Sequence, residues 1–102
     1  MVFSMSEVTK PTIAPTVFAD HDNENYYIQI ELPGVKKEDI ELEVSEQGFC
    51  IKGPREDIEF SCCYQLAHEV VHTRAKAKFE NGLLDVVIPL THPVSGIRVK
   101  ID

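Results

Sequence analysis

The sequence predicts an all-β protein, an antiparallel immunoglobulin-like β-sandwich of about seven to eight short strands. Three observations carry this reading. Apolar residues recur with period two through most of residues 17–90, as half-buried strands require. Turn formers at Pro33-Gly34, Glu46-Gln47-Gly48, Gly53-Pro54 and Asn81-Gly82 punctuate that alternation. No segment carries a 3.6-residue apolar period long enough for a packed helix.

Residues 1–16 hold Pro11 and Pro15 among scattered polar residues and show no sustained period, so they are expected to be a flexible arm. From Phe18 the alternation begins. Tyr26, Ile28, Ile30 and Leu32 make one face of a strand and Tyr27, Gln29 and Glu31 the other. Leu32-Pro33-Gly34 ends it, because the proline ring removes a donor and glycine permits the reversal. Lys36-Lys37-Glu38-Asp39 reads as a single helical turn. Ile40, Leu42 and Val44 then alternate with Glu41 and Glu43, and Phe49 and Ile51 resume the apolar face after the turn at 46–48.

A further strand over about 59–66 places Phe60, Cys62, Tyr64 and Leu66 on one face. Ala75, Ala77 and Phe79 alternate with Lys76, Lys78 and Glu80. Asn81-Gly82 is a strong hairpin signal, since both residues tolerate positive φ. Leu84, Val86 and Ile88 continue beyond it to Pro89. A last alternation sets Ile97, Val99 and Ile101 against Arg98 and Lys100. The predicted organisation is an arm over 1–16, a sandwich over 17–90 and an extension over 91–102.

Composition bounds the function. A chain of 102 residues fits one domain. Its formal charge of −7, with lysines dispersed over several segments, argues against nucleic acid as a partner. No apolar run approaches the ~20 residues that span a bilayer, and Met1–Ser6 does not resemble a signal peptide. The expected setting is the cytoplasm, with no membrane partner. The three cysteines, Cys50, Cys62 and Cys63, are an odd set and are expected to be reduced thiols, at least one of them in the core.

One sequence match to catalytic chemistry exists. His68-Glu69-Val70-Val71-His72 satisfies the His-Glu-x-x-His pattern of zinc proteases. Such a site needs a helix, which puts residues four apart on one face. In extended backbone the same residues stand ~13 Å apart. The flanking alternation predicts strand and loop here, so no metal site is expected from His68, His72, Cys62 or Cys63. No nucleophile elbow and no phosphate-binding loop occurs, and the expectation is a protein without a cofactor and without enzymatic activity.

Three ordered segments resemble the small heat-shock protein (alpha-crystallin) family. They are Glu31-Leu32-Pro33-Gly34-Val35-Lys36-Lys37-Glu38-Asp39-Ile40, Leu66-Ala67-His68-Glu69-Val70, and Ala77-Lys78-Phe79-Glu80-Asn81-Gly82-Leu83-Leu84. The resemblance rests on Leu32, Pro33, Gly34, Ala77, Asn81, Gly82 and Leu84 above all, and it implies an alpha-crystallin-type sandwich. It also implies an ATP-independent holdase that binds partly unfolded client proteins and associates with itself. In such proteins an isoleucine-x-isoleucine or valine tail docks into a groove of a neighbouring chain. Val99 and Ile101 match it best here, with Ile97 and Val99 second. The receiving groove would be lined by Ile40, Leu42 and Val44 on one strand and Ala75 and Ala77 on another.

Two departures qualify the resemblance. Only Pro54–Ile58 separate neighbouring strands where many microbial and plant members carry a long dimerisation loop, so a swapped dimer is not expected. Pairing of the 59–66 strand with its copy, through the strand bearing Phe60, Cys62 and Tyr64, is expected instead. Cys62 stands where the family usually has an arginine, so that arginine's ion pair is not carried over. The alternative class is a protein-interaction adaptor with a CS-like sandwich.

Overall fold

The computed structural model describes residues 10–93 and 96–102. The first nine residues of the expected arm lie outside this range. Eight strands follow in chain order: β1 (Thr12–Ile13), β2 (Val17–His21), β3 (Asn25–Glu31), β4 (Glu41–Ser45), β5 (Gly48–Pro54), β6 (Glu59–Gln65), β7 (Lys76–Glu80) and β8 (Leu83–Pro89). Single 3-10 turns sit at Lys37–Asp39 and His72–Arg74. One four-stranded sheet has the order β1-β6-β5-β4 and the other β2-β3-β8-β7. All pairings are antiparallel except β1 with β6. The predicted all-β sandwich is what the chain forms.

The alternation read from the sequence is the alternation of burial. Tyr26, Ile28 and Ile30 of β3 and Leu84, Val86 and Ile88 of β8 are buried, and they stand opposite one another in register. Phe49 and Ile51 of β5 and Phe60 of β6 meet them from the other sheet, with Leu32, Val35, Ile58, Leu66, Val70 and Leu90 closing the ends. No buried side-chain polar atom lacks a partner among the described residues. The central strands of each sheet therefore supply the core. Truncating any of these side chains to alanine is expected to cost about 2–5 kcal/mol.

The motifs far apart in sequence meet in space. The Leu32 amide donates to the Gly82 carbonyl at 2.7 Å. Asn81 and Gly82 both take positive φ, 52° and 78°, as a tight turn between β7 and β8 demands. A Cβ built on Gly82 would stand 3.4 Å from Pro33 Cα, so this turn also seats the one at 32–34.

Two segments differ from expectation. Thr12 and Ile13, inside the arm, pair with Glu59 and Phe60, and the Glu59 amide donates to the Pro11 carbonyl at 2.9 Å. Two paired residues carry no readable period, which is why the sequence hid them. The alternation over 97–101 does not form a strand, and its apolar side chains are exposed.

Candidate functional site

Edges, not pockets, are the chemically distinctive part of this fold. β4 ends one sheet and β7 ends the other. Leu42 and Val44 of β4 pair with the buried Ile51 and Phe49, so their side chains share the inner face, yet both are only partly covered. Ala77 of β7 pairs with the buried Val86 and is exposed, while Ala75 and Phe79 beside it are half-buried. An inward-facing residue that remains solvent-exposed marks a sandwich left open along that side. His72, just ahead of β7, lines a surface hollow with Val44–Gln47, which sets the start of β7 beside the end of β4. Ile40, at the foot of β4, packs against the core and spends its amide on the Lys37 carbonyl at 3.2 Å.

Opposite β4 in its sheet, β1 covers only the start of β6 and leaves the rest of that strand as an open edge, and here the structure redraws the expectation. The Leu66 amide donates to the Gln47 carbonyl at 2.8 Å, which makes Gly48–Gln65 a non-hydrogen-bonded pair of the β5–β6 ladder. Alternation then turns the backbone groups of Ser61, Cys63 and Gln65 towards the outer edge and those of Phe60, Cys62 and Tyr64 towards β5. The Glu59–Pro11 bond agrees with this parity. β1 covers the edge at Glu59 and Phe60, leaving Ser61–Gln65 without a strand neighbour on the side away from β5 among the described residues. Phe60, Cys62 and Tyr64 instead face inward. Phe60 is buried, Cys62 packs on the core, and Tyr64 stacks on Phe49 at 5.4 Å.

The same parity explains a finding that corrects the thiol reading. Cys50 and Cys63 are directly opposed, and as a non-hydrogen-bonded pair they stand close, at 4.0 Å between Cα atoms. They form a disulfide across β5 and β6. Cys62, on the other face, is the free thiol among the described residues, and burial pushes its pKa up from the ordinary value. The signal was present in the sequence: Cys50 lies four residues before Pro54 and Cys63 four after Glu59, symmetric about one hairpin.

Residues 66–74 bridge the two sheets. Val70 donates to the Glu46 carbonyl, Val71 to Pro89 and Thr91 to Glu69, at 2.8, 2.8 and 3.0 Å. Val70 is bridged to Leu90, and only His72–Arg74 make a 3-10 turn. His68 lies edge-on to His21 at 4.7 Å and near Tyr26, whereas His72 faces Val44–Gln47. The two imidazoles of the His-Glu-x-x-His match are thus not on one helical face. Among the described residues no group of three metal-ligating side chains gathers, and no helix is long and apolar enough to cross a membrane.

Arg55 went unnoticed in the sequence. Its Nη1 donates to the Pro33 carbonyl at 2.8 Å, its Nε to Asp57 at 2.8 Å, and its guanidinium lies 5.4 Å over the Phe60 ring. Its own carbonyl accepts from Lys10 Nζ at 2.6 Å. The short loop after β5 is therefore tied to the Leu32-Pro33-Gly34 turn. The guanidinium also holds the Asp57 carboxyl below its ordinary value.

Two packed sheets, open at their edges and with a loop in place of a catalytic helix, define an alpha-crystallin-type sandwich. Residues 19–102 match the model of the Hsp20/alpha crystallin family, and the chain belongs to that family. It is 27% identical over 97 residues to the probable 15 kDa heat shock protein of Leptospira interrogans, covering 81% of this chain and 75% of that one. It is 24% identical over 103 residues to small heat shock protein C2 of Rickettsia felis, covering 85% and 67%. Heat shock protein 16.0 from Schizosaccharomyces pombe has the same fold, with a TM-score of 0.73 at 23% identity over 88% of this chain and 99% of that one. The hspA structure from Xanthomonas axonopodis gives 0.70 at 18% identity over 80% and 98%. Membership supports a chaperone role, in a family of chaperones and not of enzymes.

Proposed function

We propose that this protein is an ATP-independent holdase that binds partly unfolded proteins in the cytoplasm and limits their aggregation. The observation that carries the reading is the incomplete cover of the sheet edges at β4, β7 and β6. Unpaired strand edges are templates for extended polypeptide, and β-addition supplies affinity through main-chain hydrogen bonds and alternate side-chain pockets. Cytoplasmic thiol buffers favour reduced cysteines, so the Cys50–Cys63 bond would mark the state reached under oxidising conditions.

Self-association fits the same edges. The proposed dimer pairs Ser61–Gln65 of β6 with the same residues of a second copy, and the proposed tail contact lays Val99 and Ile101, with Ile97, along Ile40, Leu42 and Val44 opposite Ala75 and Ala77. The exposure of Ile97, Val99 and Ile101, at 92%, 77% and 91%, favours docking on another chain over folding back. No enzymatic step, cofactor, nucleic acid or membrane enters the proposal.

Holdase activity is read by light scattering from a heated model client. Excess protein should suppress the rise, and an unchanged curve would refute the reading. The short turn between β5 and β6 favours a second reading, a monomeric adaptor with a CS-like sandwich. Deleting residues 97–102 separates the two: a fall in native mass supports tail docking, and a constant monomer supports the adaptor.

A further inference from the structure

We propose that Glu41 and Glu43, on the outer face of β4, fix the register in which the 97–101 segment of a second copy docks, by pairing with its Arg98 and Lys100. The inference rests on the tail contact proposed above and adds what selects its register. Because Gly48 turns its amide and carbonyl away from β6, they face Ser45 of β4. Alternation along β4 then aims the backbone groups of Glu41 and Glu43 at β5 and those of Leu42 and Val44 at the open edge. The edge thus offers main-chain donors and acceptors at the same two residues whose side chains sit on the half-covered inner face.

The outer face of β4 is acidic and unneutralised. Glu41 stands opposite Lys52, but that ammonium lies 3.4 Å from Glu59. No ion pair within 4.0 Å engages Glu41, Glu43, Arg98 or Lys100 among the described residues. The 97–101 segment is complementary at the same two-residue period: Ile97, Val99 and Ile101 on one side, Arg98 and Lys100 on the other.

Paired residues on neighbouring strands share a face. A strand added to β4 with Ile97, Val99 and Ile101 inward therefore sets Arg98 and Lys100 beside Glu41 and Glu43, whichever way it runs. A one-residue slip would put both cations on the apolar face. A two-residue slip keeps the apolar side chains inward but moves one of them and one cation beyond their partners on β4. Apolar matching excludes odd registers, and the charges add to the selection among the even ones. The occupant is a second copy of this chain, since its own segment stands exposed and undocked.

Sedimentation velocity of the full chain, at low and at high salt, tests this with exposed-residue variants whose folding is checked by circular dichroism. Glu41→Lys with Glu43→Lys, and separately Arg98→Glu with Lys100→Glu, should each weaken self-association by about tenfold at low salt. Combining all four should restore it, and added salt should weaken the unmodified protein. Unchanged association in either double variant, or no recovery in the combined one, overturns the proposal. If Val99→Ala with Ile101→Ala abolishes association while the charge reversals do nothing, the ionic register is wrong and tail docking stands. If the apolar variant is also without effect, the docking reading itself fails. A monomer whose thermal stability alone responds would place the segment on its own β4 and equally overturn the proposal.

Discussion

Arg55 does more than its exposed position suggests. Its bond to the Pro33 carbonyl joins a turn to a loop 22 residues away, and Lys10 adds the segment leading into β1. Arg55→Ala should destabilise the fold by about 1–2 kcal/mol, from one lost charge-assisted bond at a partly solvated site. Denaturant unfolding checks it, and a loss below a few tenths of a kcal/mol would make the latch incidental. Asp22 makes a different kind of contribution. Its carboxylate accepts the amides of Asn25 and Glu24 at 2.7 and 2.8 Å and the Tyr27 hydroxyl at 3.0 Å, and the Asn25 bond leads in holding its pKa below the ordinary 3.8. A lowered folded pKa means stability that is present above the unfolded value and lost as pH falls through the folded one. The melting temperature of Asp22→Asn should therefore fall short of the unmodified protein at neutral pH, with the gap closing below about pH 4. A gap independent of pH would contradict it. Arg55 could not be read from the sequence, because its bond to Pro33 joins residues that only the folded chain brings near. The partners of Asp22 lie two to five residues on, and no apolar period marks them. Asn81 and Gly82 were legible because their work is done by local backbone geometry.

At the scale of elements, strands were legible wherever a full period-two face is buried, as in β3, β5 and β8. The inner faces of β4 and β7 read the same way, but their partial exposure is a property of edge position, which one strand's sequence does not carry. The same holds for β6. Its alternation named Phe60, Cys62 and Tyr64, whereas the backbone parity that governs edge pairing assigns Ser61, Cys63 and Gln65 to the open side. The cysteine pair makes a sharp prediction. Alkylation of the unreduced, denatured protein should label one thiol, Cys62, and reduction should raise that to three. Closing a 13-residue separation stabilises by roughly 2–3 kcal/mol on loop entropy, so reduction should also lower the melting temperature. Three reactive thiols before reduction would remove the bond from the account.

The whole molecule is an acidic sandwich with a formal charge of −7, whose apolar segment at 97–101 is exposed and whose sheet edges are unequally protected. Excess negative charge keeps such a molecule soluble as a monomer and opposes non-specific clustering. The association proposed above is directional, through strand edges and the cationic residues Arg98 and Lys100. Hydrophobic tail docking also weakens on cooling, so assemblies held this way should loosen at low temperature. Native mass of the intact chain tests the central claim, that the protein works by joining strand edges between copies, most directly. The account predicts multiples of the 11.5 kDa chain at micromolar concentration, falling to the β6-paired dimer when Val99 and Ile101 are replaced by alanine. A single 11.5 kDa species in both proteins would contradict it.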